Sequence, residues 1–471
     1  VAAADDGGPH TMILPGETWS PDFTVLDEAT TFWYHPHLHS KTAEQVYKGL
    51  AGMIIVRDSA EAMLDLPRTY GVDDFPLIIQ DKSFDTSNQF IFAALSDTIM
   101  INGTLSPFLE VPAQMVRFRL LNGSNQRVYN IGIPPALPAW QIGTDGGLLA
   151  QPLPISRIRI APGERAEIVI NFGQLPVSSN VLMPIKNSEL GQGVSGGPMG
   201  PMGGPGNLLD GADFDFMKFR VTPATTNPVL TISQNLNSIN PWDELSADLT
   251  RVKVFDTIAP NSFPYLINST GFDLNTINDT VFLGNTEIWE LYNETTVAHP
   301  FHIHDIQFYI LELNGNVPPP HLRGKKDVIL SLPGDTIRFI CKFEDFTDNT
   351  IPYMYHCHNL FHEDAGMMGQ FIVIDNPNAA TDALEEDLSG RFRVFPNPTE
   401  GIFQIIDKEK LFRGIQSIEI HSLAGKLLMR LPVQAGIQVQ QVDLAKLASG
   451  MYLLDLMGKT GARSTLRIMK E

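Results

Sequence analysis

Cysteine is scarce: the 471 residues contain two, Cys341 and Cys357. A structural zinc site built from several thiolates is therefore disfavoured. If Cys357 holds a metal, no disulfide remains within the chain, and cysteine usage leaves the compartment open. Long apolar runs are also missing, and none approaches the 18 or more residues of a membrane-spanning helix. Positive charge is short, with 33 Lys+Arg against 53 Asp+Glu and a formal net charge of −20. That balance argues against a nucleic-acid partner. The deficit is uneven: residues 393–471 carry 11 Lys+Arg and 7 Asp+Glu, which marks off a separate C-terminal module. Glycine (38) and proline (34) are frequent, as in loop-rich β proteins, and the length suits three or four domains.

The richest stretch is YHCHNLFHEDAGM, Tyr355 to Met367. Strand-like text precedes it, so His356, Cys357 and His358 are expected to be extended, with Cys357 facing one way and both histidines the other. A thiolate, imidazoles and a weak thioether form the donor set of a blue-copper electron-transfer site. The two histidines on the opposite face suit a second metal site, joined to the first through adjacent residues.

Residues 1–60 hold turn clusters (DDGGPH, LPGE), strands FTVLD and TTFWYHPHLH, and a closing buried strand GLAGMIIVRD. In WYHPHLH, alternate positions place His35 and His37 on one face; His39 shares their parity. Residues 61–224 read as a second β domain that lacks clustered metal ligands and so looks like a spacer. Within it, Val116, Phe118 and Leu120 alternate with Arg117 and Arg119, the pattern of a half-buried strand. Its Gly/Pro/Met stretch contains Met199 and Met202 and reads as a flexible loop. Residues 225–378 read as a third β domain. In HPFHIH, His302 and His304 share a face while His299 has the opposite parity, so His299 can join Cys357 and the other two the second site. His321 and His421 read as exposed, and Cys341 as a core residue. Residues 379–391 read as a linker, and 392–471 as a small β-sandwich.

WYHPHLH, HPFHIH and HCHNLFHEDAGM resemble three of the four copper motifs of multicopper oxidases, the bacterial laccase-like and copper-efflux type. The likeness extends through QVYKGLAGMIIVRD, PLIIQDKSF, RFRLLNGSN and APGERAEIVINF, over residues 1–376. It implies an all-β chain of consecutive cupredoxin-like Greek-key sandwiches, the first incomplete. It also implies a type 1 copper at His299, Cys357, His362 and Met367. Met368 is the neighbour that the spacing disfavours. A type 2/type 3 trinuclear cluster would take His35, His37, His302, His304, His356 and His358, for four coppers in the full-length protein. His39 is not a ligand in that pattern. Asp6 and Glu363 stand where the family has proton-relay acids. The family's first His-x-His motif is absent, so eight of ten histidine ligands are present, and the chain is expected to be N-terminally truncated and impaired.

The implied reaction is one-electron oxidation of a phenol or aromatic amine coupled to reduction of O2 to water. Cuprous ion is the alternative reductant; it is weakened by the lack of a Met-rich insert and by Thr295, where copper-efflux oxidases carry an acid. An electron-transfer or nitrite-reducing cupredoxin and a non-catalytic relative of the same fold are the rival readings. The tail, with FPNPTEG, LAGKLL and LASGMYLL, resembles the C-terminal sorting domain of type IX secretion over residues 393–471. That implies export through the periplasm by type IX machinery to the cell surface or medium, often with later cleavage.

Overall fold

The computed structural model describes residues 1–198, 207–259, 262–375, 392–408, 412, 415–423, 426–433, 439–458 and 463–471. Met199, Met202 and the 379–391 linker lie outside the described residues. The chain is all-β and separates into two compact units, Val1–Ile374 and Asp375–Glu471. Among the described residues, no helix is long and apolar enough to cross a membrane.

The first unit begins with a short helix, Ala3–Asp6, and an antiparallel pair, Thr30–Tyr34 with Gly52–Val56. FTVLD forms no strand, because nothing among the described residues pairs with it. Gly52–Val56 is only half-buried, contrary to the apolar run's promise, and Ile54 is exposed. The middle of the unit is a sandwich. One sheet is centred on Arg165–Asn171, Met115–Asn122 and Asp74–Phe84; the other runs Arg157–Ile160, Tyr129–Gly132, Asn180–Lys186, Asp213–Thr222 and Phe108–Pro112. Phe118, Phe172 and Phe219 interlock between them.

The third sandwich packs Trp289, Phe301, Phe339 and Phe371 between two five-stranded sheets. The run VFLGNTEIWELYN, continuous in its strand-forming character, is split by a turn into Asp279–Phe282 and Thr286–Asn293, which join different sheets. One sheet is ordered Asp279–Phe282, Met368–Ile374, Asp348–Cys357, His299–Ile303, Val328–Ser331. Its register pairs Phe301 with Cys357 and His302 with His356. Directly opposed residues share a face. The register therefore puts His302 beside His356 and turns Cys357 to the other side.

Arg117 and Arg119 depart from the alternating pattern's expectation of solvent. Both are buried, with Arg117 paired to Glu167 and Glu61 and Arg119 to Asp74 and Glu167. Thr31 covers this polar face and donates to Glu167 at 2.6 Å. Buried pairs of this kind fix placement more than they add net stability.

The second unit is a small sandwich of a three-stranded and a four-stranded sheet around Phe403, Ile418, Leu454 and Ile468. His421 lies half-buried on it, 3.0 Å from Glu419. Cys341 is buried in the third sandwich, as its alternating strand implies, and His321 is exposed.

Candidate metal centre

Two groups of side chains converge from different faces of the strand ending at Cys357. The first is His299, Cys357 and His362. Cys357 Sγ lies 3.4 Å from His299 Nδ1 and 3.6 Å from His362 Nδ1, and the two nitrogens are 3.2 Å apart. Thr295 Oγ1 sits 2.9 Å from His299 Nε2, which fixes the ring with Nδ1 towards the sulfur. Tyr265 covers both imidazoles, with ring centroids 4.8 Å from His299 and 4.6 Å from His362. Met367 is fully buried, and its carbonyl accepts the Cys357 N–H at 3.0 Å. Met368 lies opposite His356 in the register, which turns it from Cys357.

The second group is His35, His37, His302, His304, His356 and His358. His37, His304 and His356 bring one nitrogen each into a common space, and His37 Nε2 is 3.3 Å from His356 Nε2. The His302 ring is 5.0 Å from His304, 5.3 Å from His356 and 5.6 Å from His358; the His35 ring is 5.4 Å from His358. The strand ends at Tyr34, so His35 and His37 converge from an irregular segment and not by strand parity. His39 lies apart, exposed beside Phe272.

Outer oxygens hold these rings. His302 Nδ1 meets the Asp327 carbonyl at 2.8 Å, His304 Nδ1 meets Asp6 Oδ2 at 2.6 Å, and His35 Nδ1 meets the Pro36 carbonyl at 3.0 Å. His356 Nδ1 lies 2.9 Å from Glu363 Oε2, and Glu363 Oε1 is 3.6 Å from His37 Nε2. With Nδ1 occupied from outside, Nε2 is left facing inwards. His358 is buried, and among the described residues neither ring nitrogen has a hydrogen-bond partner. An orphaned buried imidazole is costly unless it is a ligand. The donor sets therefore fit metal: one thiolate with two imidazoles, which suits copper, and one set of imidazoles alone.

Burial shapes the protonation of both groups. It pushes the Cys357 thiol up, so binding a metal there displaces a proton. It pushes His35 down to about 4, and His37 and His362 to about 3. Burial alone would raise the Glu363 carboxyl, but His356 and His37 outweigh it and hold it well below its usual range.

An unfolded imidazole protonates below about pH 6.5, whereas these folded ones resist until about 3 to 4. The unfolded state then binds more protons in this window, so stability falls as the pH is lowered. At pH 5 each of the three contributes roughly 2 kcal/mol of destabilisation. Asp305 and Asp364, pushed up chiefly by burial to about 7 and 6, pull the other way, as does His304, which burial would lower but Asp6 raises. The lowered imidazoles outnumber them, since His299, His302 and His358 are also lowered by burial. The thermal midpoint of the copper-free chain is expected to drop between pH 7 and 5, and a flat or rising midpoint contradicts this.

Some functional contacts gave no sequence signal. Asp364 accepts the N–H groups of Thr42 and Ala43, both at 3.0 Å, tying the segment after His39 to the helix Leu360–Asp364 that carries His362 and Glu363.

A cupredoxin-type fold holding one thiolate–imidazole group and one imidazole group, bridged by adjacent residues, defines a metalloprotein of the copper-oxidase class. Family models described as multicopper oxidase match residues 4–61 and 238–377, and one described as a secretion system C-terminal sorting domain matches residues 393–471. The chain is 33% identical over 387 residues to a multicopper oxidase of Staphylococcus haemolyticus, covering 78% of this chain and 73% of the relative. It is 32% identical over 380 residues to the cell division protein FtsP of Xenorhabdus nematophila, covering 78% and 75%. A solved laccase-like multicopper oxidase from the lignin-degrading Ochrobactrum sp. superposes with a TM-score of 0.68 at 32% identity, covering 79% of this chain and 83% of that one. The chain belongs to the multicopper oxidase family and carries a C-terminal sorting domain.

Proposed function

We propose that this is a laccase-like oxidase that takes single electrons from phenols or aromatic amines and delivers them to O2. In this reading His299, Cys357, His362 and Met367 hold a type 1 copper. His35, His37, His302, His304, His356 and His358 hold copper of a type 2/type 3 cluster. Copper at these places supplies one-electron oxidation at the first site and four-electron reduction of O2 to water at the second. The observation that carries the reading is the His356-Cys357-His358 run, whose side chains serve the two groups in turn. Covalent bonds then span the gap between donor and acceptor centres. Glu363, kept ionised by His356 and His37, stands where it can accept a proton and pass it on, and Asp6 orients His304. Three cupredoxin-like regions, 1–60, 61–224 and 225–378, fit this division of labour.

Thr295 favours an organic reductant over cuprous ion. It is buried and engaged with His299, so this edge of the first site offers no carboxylate for an incoming cation. The sorting domain supports export by type IX machinery to the surface or medium.

The 471 residues hold eight of the ten histidines of the family pattern. Oxygen uptake of this chain is therefore measured directly, with a methoxyphenol or cuprous ion as reductant. The expected result is O2 consumption with the phenol, four molecules per O2 and no peroxide released. Uptake with cuprous ion and none with the phenol supports the cuprous-ion alternative. No uptake with either reductant supports a non-catalytic member.

A further inference from the structure

The middle sandwich supplies no histidine, since none lies between His39 and His299. Its turn Ala161–Arg165 nevertheless abuts the imidazole group. We propose that Arg165 is a positioning residue that joins the two halves of the trinuclear centre, a proposal that rests on the copper reading above.

Arg165 is buried, and all five of its N–H groups are committed. Nε donates to the Thr31 carbonyl at 2.9 Å. Nη1 donates to Asp327 Oδ1 at 2.6 Å and to the Gly163 carbonyl at 3.2 Å. Nη2 donates to Asp327 Oδ2 at 2.6 Å and to the Asp145 carbonyl at 3.0 Å. Thr31 belongs to the strand that runs directly into His35 and His37. The Asp327 carbonyl is the acceptor that orients His302. One guanidinium thus fixes the segment bearing two histidines from the start of the chain against the residue that aims a third from the far end.

Gly163 adds a second, independent contact. Its φ is +82°, and a Cβ there would lie 2.5 Å from Cδ2 of His358, so the turn is seated flush on that ring. Lys326 reinforces the junction, with Nζ 2.8 Å from Asp145 and 3.1 Å from Glu164. A lysine at 165 has three donors on a point charge and cannot reproduce a fork that serves five acceptors. No donor of Arg165 is left for His299, Cys357 or His362, so the first site should not depend on it.

The test is copper titration of the full chain and of its R165Q, R165K and D327N variants. Blue absorbance reports the Cys357 site, and total copper minus blue copper reports the imidazole group. In R165Q and D327N the blue band should keep its parent intensity while affinity for the non-blue copper falls about 10- to 100-fold. R165K should not rescue it. Non-blue copper bound at parent affinity in R165Q overturns the proposal. D327N keeps every backbone contact of Arg165, so blue and non-blue copper falling in step there makes Arg165 a general structural residue and also overturns it. A parent chain with a blue site and no further copper removes the trinuclear reading, and the proposal with it.

Discussion

Replacing Cys357 with serine is expected to abolish the blue absorption and reduce oxygen consumption to background with every reductant. Cys341 cannot substitute. It lies buried in a different strand, its sulfur 3.6 Å from the Glu287 carbonyl. A hydroxyl at 357 gives no thiolate, so the electron-accepting site loses its defining donor. The imidazole group should survive, because serine keeps the backbone register that sets His302 beside His356. The check is a visible spectrum with a copper count. A blue band retained in C357S contradicts the assignment.

The next largest effect is expected from Glu363→Gln. Glu363 is buried and touches both His356 and His37. Glutamine keeps the size and one acceptor oxygen but cannot take up and release a proton. The blue band should be unchanged, while oxygen turnover falls on the order of 10²- to 10³-fold, the scale of losing one positioned acid or base. Steady-state oxygen uptake with a fast reductant measures it. Turnover at the parent level would show that Glu363 is only a structural neighbour of His356.

The residues of the site were legible because donor types repeat at short spacings. Parity along a real strand separated His299 from His302, and Cys357 from its two neighbours. The same argument placed His35 and His37 together although their segment is not a strand, so the grouping there owes nothing to pleat. What escaped was everything held by distant partners. Arg117 and Arg119 alternate as if facing water, and only Glu61, Asp74 and Glu167, 45 to 56 residues away, reveal that face as buried. The middle sandwich read as a spacer because it has no ligands. Its role lies in Gly163 and Arg165, whose importance depends on His358 and Asp327 arriving from far along the chain. FTVLD has strand-forming residues but, among the described residues, no neighbour to bond with, which composition cannot disclose.

A copper titration of this chain, followed by visible and paramagnetic resonance spectra, tests the two copper centres most directly. Two centres bridged by His356, Cys357 and His358 predict an intense blue band that saturates with one copper, and further copper that binds without adding to the band. Copper that binds without colour, or no copper retained at all, would contradict the account at Cys357 itself.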